Sequence, residues 1–355
     1  MKFNAAGLLL CTFLIGCGGT APFGEDATED PTEEGGGTDG GIDSEGLPPG
    51  TASPSPNNGI FRSEPRSEED GANGNGYATG ISYDGATDTF TVDGLAFDGG
   101  NVYQRGNPVS SLNDGAFSVY EADQQFPDSV TNTPVNQLTH RAIYGVSRNI
   151  DANGQPETQF AIVRTGAYVG YGFGGFVYQR ANDVNMPSSG QAVFNGRSAG
   201  LRDFNGRGGL EYTTANVEVA IDFDDFNDDT GGRGDGVRGE FTNRRVFDID
   251  GNDITAAVLA RINNQNDASL SSLPDARFRI GPGVLDGNGE AIGTIASNYT
   301  NDEGTTQIYE DGNYYAILSG EDPDEIVGVI VIENSAEFDS TVVRETSGFI
   351  VHRTP

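Results

Sequence analysis

The two histidines are the first residues of this sequence to consider for catalysis. His140 falls in a segment with the pattern of a β-strand, and His352 lies at the C-terminal end. Both cysteines, Cys11 and Cys17, lie near the N-terminus, so the folded part offers no thiolate. A histidine-based triad, a zinc site or a His-ligated haem is therefore poorly supported. Carboxylates alone catalyse glycoside hydrolysis, but nothing here distinguishes an acid from a base. The sequence predicts a protein that is not an enzyme and has no cofactor.

The densest run of carboxylates outside the N-terminal region is Asp222–Asp229. Within it, Asp225, Asn227 and Asp229 have the 1-3-5 spacing of a calcium-binding loop. The sixth position is not glycine, and Gly236 occupies the twelfth position, where such loops have a bidentate glutamate. The sequence therefore favours a solvated hairpin tip and no metal, with a calcium ion near Asp225–Asp229 as the alternative.

Three arginines lie among glycines in the segment GRSAGLRDFNGRGG. Arg197, Arg202 and Arg207 carry guanidinium groups of the kind that bind an anionic ligand or the acidic surface of a partner. They are the ligand-binding candidates of this sequence. With Asp203 between them, they are equally suited to ion pairs that hold the mouth of a barrel together, and this structural interpretation is favoured.

Acidic residues dominate the composition, with 53 Asp and Glu against 20 Lys and Arg and a formal net charge of −33. A surface this negative repels phosphate backbones, so no nucleic-acid partner is expected. Lys2 is the only lysine, and nearly all positive charge therefore comes from arginine.

Residues 1–17 have the features of an export signal. The apolar run Ala5–Ile15 is too short to span a bilayer as a permanent helix. It leads into Leu-Ile-Gly-Cys, ending at Cys17, which resembles a bacterial lipobox. The resemblance implies that Cys17 is lipidated, with palmitate among its acyl chains, and anchors the protein to a membrane. Gly18 implies the outer membrane, because lipoproteins kept in the inner membrane typically have aspartate there. An ordinary signal peptide with an incidental cysteine is the alternative.

Residues 18–74 are rich in Gly, Pro, Ser, Thr, Glu and Asp and poor in apolar side chains. Such a segment cannot bury enough surface to offset the entropy lost on ordering. The sequence predicts a disordered acidic tether with an average reach of about 40 Å.

The rest of the chain has the pattern of short strands separated by Gly, Asn and Asp turns. Residues 75–186 predict a small β-rich domain, and residues 187–355 predict a second domain of about eight or nine strands, a spacing typical of a barrel or sandwich. In the strand Val217–Phe223 apolar side chains alternate with polar ones, so a one-residue shift would bury Glu218 and Asp222. The stretch 253–262 breaks this pattern and predicts a short helix that plugs or caps the barrel.

Several motifs surround the junction of the two domains, in the segment from Gly172 to Asp203. They are the glycine–aromatic strand Gly175–Tyr178, the turn Met186-Pro187, and the barrel opening Gly190 with Phe194-Asn-Gly196. Together they resemble transferrin-binding protein B and its relatives, surface lipoproteins of Gram-negative bacteria in which a β-rich handle precedes an eight-stranded barrel.

A later segment adds to this resemblance. Tyr314-Tyr315 followed by Glu325–Gly328 is similar to the hairpin that closes the barrel in that family. The chain departs from the family in having Ala316-Ile317 where the motif has Gly-Pro. It also has one handle-plus-barrel lobe where the transferrin binders have two.

The resemblance implies an all-β fold, a small handle domain followed by an eight-stranded antiparallel β-barrel, to which the residue pattern of 253–262 adds one short helix. It implies a lipid-anchored outer-membrane protein, on the surface or periplasmic face, that captures a solute or protein partner through handle and barrel loops. An outer-membrane transporter or translocator is a candidate partner. Transferrin is not implied, because the family's ligand-contacting loops have no match here. The alternative is a structural or adhesive surface lipoprotein that captures no solute.

Overall fold

The computed structural model describes residues 47–65, 76–78, 80–95, 98–151, 154–166, 174–226, 236–279, 284–338 and 340–354. The predicted signal, Cys17 and the tether up to residue 46 lie outside these residues, as do Asn227 and Asp229 of the calcium alternative. No helix within the described ranges is both long and apolar enough to cross a membrane.

The first half of the chain forms a curled antiparallel sheet of nine strands and a separate two-stranded hairpin. The strands are β1 (Ile60–Ser63), β2 (Gly80–Asp84), β3 (Thr89–Asp93), β4 (Val102–Arg105), β5 (Ser111–Leu112), β6 (Phe117–Ala122), β7 (Gln125–Pro127), β8 (Pro134–Asn136), β9 (His140–Val146), β10 (Thr158–Thr165) and β11 (Gly174–Arg180). The sheet runs in the order β1-β11-β10-β9-β6-β4-β3-β2, with β5 beside β6, while β7 pairs only with β8. This unit is the predicted handle.

Strand β1 lies in the segment for which the sequence predicted a tether. It pairs with β11 along its whole length, and Ile60 is buried. The strand is ordered by its backbone ladder and by two apolar side chains, the buried Ile60 and the partly buried Phe61, so no longer apolar run in the sequence predicts it. The ordered handle therefore begins earlier than the predicted boundary at residue 75.

The second half closes into a barrel of eight antiparallel strands, which confirms the predicted fold class. Its strands are β12 (Gln191–Phe204), β13 (Arg207–Asp222), β14 (Val237–Phe247), β15 (Ala276–Phe278), β16 (Glu290–Thr300), β17 (Thr306–Ser319), β18 (Glu325–Phe338) and β19 (Thr341–Arg353). Closure comes from β19 pairing with β12, from Phe194 opposite Arg353 to Phe204 opposite Val343. A closed sheet has no free edge on which other chains can pair.

Side chains fill the interior of the barrel, as an eight-stranded barrel allows. Val217, Val219 and Ile221 point inward as the alternation in β13 predicted, and Glu218 is exposed. Inside the barrel, the rings of Phe278 on β15 and Tyr314 on β17, the two neighbours of β16, stack with their centres 3.7 Å apart. A ligand therefore has to be held outside this interior.

One helix, α1 (Thr255–Asn266), packs over one end of the barrel. Its Val258 and Ile262 are buried in a cluster with Tyr299 and Tyr309 of the barrel strands. The predicted helix exists and caps the barrel, but it continues four residues beyond the predicted end at 262. Those last residues, Asn-Asn-Gln-Asn, are all polar and carry no apolar periodicity that would predict a helix.

The handle packs against the outer face of the barrel through an apolar interface. Phe160 of β10 lies against Gly348 of β19, where any Cβ would overlap with the ring. The barrel contributes further buried residues to this interface, including Leu201, Ile317, Val327, Val329 and Ile350. The interface fixes the handle loops relative to the barrel strands.

Candidate binding surfaces

Arg202 points into the barrel and is 2 % exposed. Its guanidinium donates to Glu211 at 2.6 Å and also to Glu337. Burial by itself lowers the pKa of Arg202, but the charges of Glu337 and Glu211 outweigh burial and hold the pKa above its usual value. Both partners are supplied by the barrel itself, so these contacts are those of a structural ion pair.

Arg244 makes a second buried ion pair at the same end of the barrel. It donates to Glu310 at 2.6 Å and to Glu345 at 2.9 Å. A β-bulge makes this possible, because Ala215 of β13 faces two residues of β14, Asn243 and Arg244. The extra residue turns Arg244 inward and leaves Asn243 on the outside.

Arg202 and Arg244, with Glu211, Glu310, Glu337 and Glu345, form a buried ion-pair layer at this end of the barrel. Two of its carboxyl groups have pKa values that shift in opposite directions. Burial raises the pKa of Glu211 above its usual value, and the charge of Arg202 only partly opposes this. Burial also acts on Glu337, but there Arg202 and Arg261 outweigh it and lower the pKa. Of these two glutamates, Glu211 therefore takes up a proton more readily, and its charged neighbours are side chains of the protein itself.

Arg207 lies in the β12–β13 hairpin, at the edge of the same layer. Its guanidinium lies 4.3 Å from the centre of the Phe338 ring, and Arg261 lies 4.4 Å from that centre. Arg207 also interacts electrostatically with Glu211. The structure thus places Arg202 and Arg207 at one barrel end, in contacts that stabilise the fold.

Arg197 lies elsewhere, on the outer face of β12. It donates to the carbonyl of Asn113 at 2.9 Å and to the carboxylate of Asp114 at 3.0 Å. The three predicted arginines therefore form no common anion site. The alternation of side chains along a strand already implies this for Arg197 and Arg202, which are five residues apart.

A polar cleft opens next to Arg197, between the handle turn Pro108–Asp114 and barrel strands β13 and β14. Its volume is about 660 Å³. The barrel side is formed by Asn216, Asn243 and Phe247, among others. Of the lining residues, Arg197 was a candidate from the sequence, whereas Asn216, Asn243 and Phe247 were not, because the cleft forms between segments that are distant in the sequence.

The β7–β8 hairpin of the handle is the second exposed feature. Phe126 and Val135 are each 41 % exposed, and Val130 at the tip is 89 % exposed. Asp128 orders the tip by accepting hydrogen bonds from the backbone N–H groups of Val130 and Thr131 at 3.0 and 2.7 Å. The sequence did contain a signal: residues 124–138 carry a single charged side chain in a strongly acidic chain.

Both histidines contact neighbouring groups of the protein itself. His140 is buried, its Nδ1 lies 3.3 Å from the carbonyl of Leu138, and burial lowers its pKa. His352 has its Nδ1 3.1 Å from Glu325, which also accepts from Thr158 of the handle. The described ranges contain no group of three or more His, Cys, Asp or Glu residues arranged to hold a metal ion.

The chain is similar in fold to solved structures of transferrin-binding proteins and a surface lipoprotein. A mutant of Transferrin Binding Protein B from Haemophilus parasuis Hp5 aligns with a TM-score of 0.37 and 10% identity, covering 84% of this chain and 45% of that one. Intact Ap-TbpB, with N and C lobes, aligns at 0.31 and 11%, covering 84% and 61%. A structure titled Surface Lipoprotein aligns at 0.28 and 12%, covering 58% and 79%.

The described residues form one handle-plus-barrel lobe, an architecture that their own strand pairing establishes. The solved structures to which it is similar include members of the family that the sequence motifs resemble. It spans less than half of the Haemophilus parasuis protein. No protein-family model matches the sequence, and no curated protein matches it.

Proposed function

We propose that this protein is a lipid-anchored binding protein of the outer membrane that captures a protein partner or solute through loops of its handle and barrel. The predicted lipobox at Cys17 and the acidic tether after it support the anchor. The proposal keeps the domain division at residue 187 and extends the handle back to β1. A captured solute would pass to an outer-membrane transporter or translocator.

The observation that carries this proposal is the exposed β7–β8 hairpin. Apolar side chains as exposed as Val130 usually mark contact surfaces when they cluster. Pro127 and Pro134 lie opposite each other and lack the N–H that a further strand would need. The hairpin therefore contacts a partner through its side chains and not by adding a strand to its edge.

The order of the hairpin tip favours binding. Asp128 also accepts a hydrogen bond from the Thr131 hydroxyl at 2.8 Å, so three donors hold the tip in one conformation. An ordered loop loses less entropy on binding than a disordered one. Phe126 at the base lies against Gly100, whose φ is +82° and where a Cβ would lie 2.7 Å from the ring.

The net charge of the chain indicates which kind of partner surface it attracts. With a formal net charge of −33, the protein repels acidic surfaces and attracts basic ones over the Debye length. The hairpin is nearly uncharged within this field. The partner is therefore expected to have an apolar pocket with a basic rim.

Photo-crosslinking on intact cells tests the hairpin. A photoreactive residue at position 130 should give one discrete protein adduct, and one at position 150 should give none, although Ile150 is an exposed apolar residue of the same handle at 64 %. Val130→Ser with Val135→Ser should abolish binding of the identified partner, whereas Ile150→Ser should not. Equal adducts from both positions would count against the hairpin.

The alternative is a structural or adhesive lipoprotein. Deletion would then change attachment or envelope integrity and leave uptake unchanged, whereas the proposed capture predicts an uptake defect. Cys17→Ser tests the anchor separately, because it should release the protein into the soluble fraction.

A further inference from the structure

The cleft between handle and barrel has walls held in place by specific contacts. Asn113 of the handle turn donates to the carbonyls of Ser198 and Ala215 at 3.0 and 3.3 Å. Ala215 is the residue opposite the β14 bulge, so a handle side chain binds a carbonyl there. On the other side, Val109 lies close to Gly251, where a Cβ would be 3.0 Å from its Cγ2. The cleft is therefore preformed.

Polar groups without a partner in the protein converge in this cleft. Asn216 and Asn243 are neighbours across β13 and β14, since Asn216 is paired with the residue before Asn243. Both are exposed, and no hydrogen bond among the described residues uses either side-chain amide. The same holds for the hydroxyls of Ser110 and Ser111 on the handle side. Amides and hydroxyls each donate and accept, so the cleft presents both functions.

The charges that line the cleft are balanced. The lining contains two guanidinium groups, Arg197 and Arg245, and two carboxylates, Asp114 and Asp250. Arg197 is paired with Asp114, and Arg245 is paired with Asp253, which lies outside the lining. An anion would have to compete with these carboxylates for the arginines, and a cation would meet the guanidinium groups. An apolar ligand would bury the amides without hydrogen bonds, which is unfavourable. The lining thus suits a neutral polar ligand.

An aromatic ring completes the lining. Phe247 is partly exposed on the outer face of β14, with the guanidinium of Arg245 5.4 Å from its centre. Sugar rings combine hydroxyls that donate and accept with an apolar C–H face that packs on aromatic side chains. The volume of about 660 Å³ lies within the roughly 300–1,000 Å³ of small-molecule sites.

We infer that this cleft is a binding site for a neutral oligosaccharide. The amides of Asn216 and Asn243 and the hydroxyls of Ser110 and Ser111 bind its hydroxyl groups, and Phe247 packs against a ring face. The site is separate from the β7–β8 hairpin and does not depend on capture of a protein partner.

Calorimetric titration of the purified full chain tests this inference. The probes are maltotriose, cellotriose and N-acetylchitotriose as neutral trisaccharides, with sialyllactose and chitotriose as anionic and cationic comparators. At least one neutral probe should bind, and both charged comparators should bind more weakly. Absence of binding by every neutral probe, or tighter binding by a charged one, would overturn the assignment.

Two variants test the residues. Asn216→Ala and Asn243→Gly should each weaken binding roughly five- to tenfold, as loss of a hydrogen bond in a site does. Glycine at 243 tolerates the φ of +50° found there, so the bulge is kept. The matched control is Asn298→Ala, an exposed asparagine on β16 that does not line the cleft, and its affinity should stay unchanged. Unchanged affinity in the Asn216→Ala, Asn243→Gly double variant would refute the site.

Discussion

Arg62 and Glu290 face each other across the boundary between handle and barrel in a two-pronged ion pair. Nε of Arg62 lies 2.7 Å from Oε1 of Glu290, and Nη2 lies 2.7 Å from Oε2. Both side chains are buried. The pair joins β1 to β16, so the first strand of the handle is fixed to the barrel by residues 228 positions apart.

The first prediction concerns this pair. Arg62→Met leaves the carboxylate of Glu290 buried and unpaired, and should lower the free energy of unfolding by roughly 3–5 kcal/mol. Arg62→Met with Glu290→Leu removes both charges and should be more stable than Arg62→Met alone. Denaturant unfolding measures both variants. Glu290→Leu alone completes the cycle. If the double variant loses the sum of the losses of Arg62→Met and Glu290→Leu, the two residues do not interact as described.

The second prediction concerns acid stability of the handle. Burial lowers the pKa of His140 below its usual 6.5, with Asp98 partly opposing this and the Tyr103 ring 6.2 Å away. The unfolded chain therefore binds the proton first, and the stability that neutral His140 contributes is lost as pH falls below about 6.5. His140→Phe should lose less stability between pH 7 and pH 5 than wild type. Unfolding curves at both pH values measure the difference, and identical losses would contradict it.

The third prediction concerns the ion-pair layer. Arg202→Met leaves Glu211 and Glu337 without their main cation and should cost roughly 3–5 kcal/mol at pH 7. The folded pKa of both glutamates would then lie above the unfolded value of about 4.5, so the folded state binds more protons in that window. As pH falls from 7 towards 5, the stability of the variant should therefore change more favourably than that of wild type, in which Glu211 has a raised pKa but Glu337 a lowered one. A variant whose deficit does not change with pH would contradict this mechanism.

The sequence predicted features that depend on local alternation. In β13, residues Val217 to Ile221 alternate in a pattern that period-two geometry dictates, and the structure has that register. Many such strands separated by turns indicated a barrel or a sandwich, and the family resemblance favoured the barrel. Strand β1 was missed because the partners of Arg62 and Glu64 lie far away in sequence, at Glu290 and Arg164.

Bulges limit what the sequence predicts about the site. Regular alternation from the inward-facing Phe241 would place Asn243 inside the barrel and Arg244 outside, and the extra residue of the bulge reverses the two. No periodic pattern reveals such a shift, so neither the buried role of Arg244 nor the exposed amide of Asn243 was foreseen. The charge-poor segment of the hairpin, by contrast, can be recognised from composition alone. Only the structure shows that it forms a two-stranded sheet separate from the nine-stranded one.

The last prediction concerns the apolar contact between Phe160 and Gly348. A Cβ at 348 would overlap with the Phe160 ring, so Gly348→Ala forces the handle away from the barrel and should destabilise the chain by roughly 1–3 kcal/mol. Phe160→Leu alone leaves unfilled volume and is also destabilising. In the double variant the methyl group occupies part of the space that the smaller side chain vacates. The double variant should therefore be more stable than the sum of the two losses predicts, as thermal unfolding of all four proteins would show. Strict additivity would mean that the ring and the glycine are not in contact.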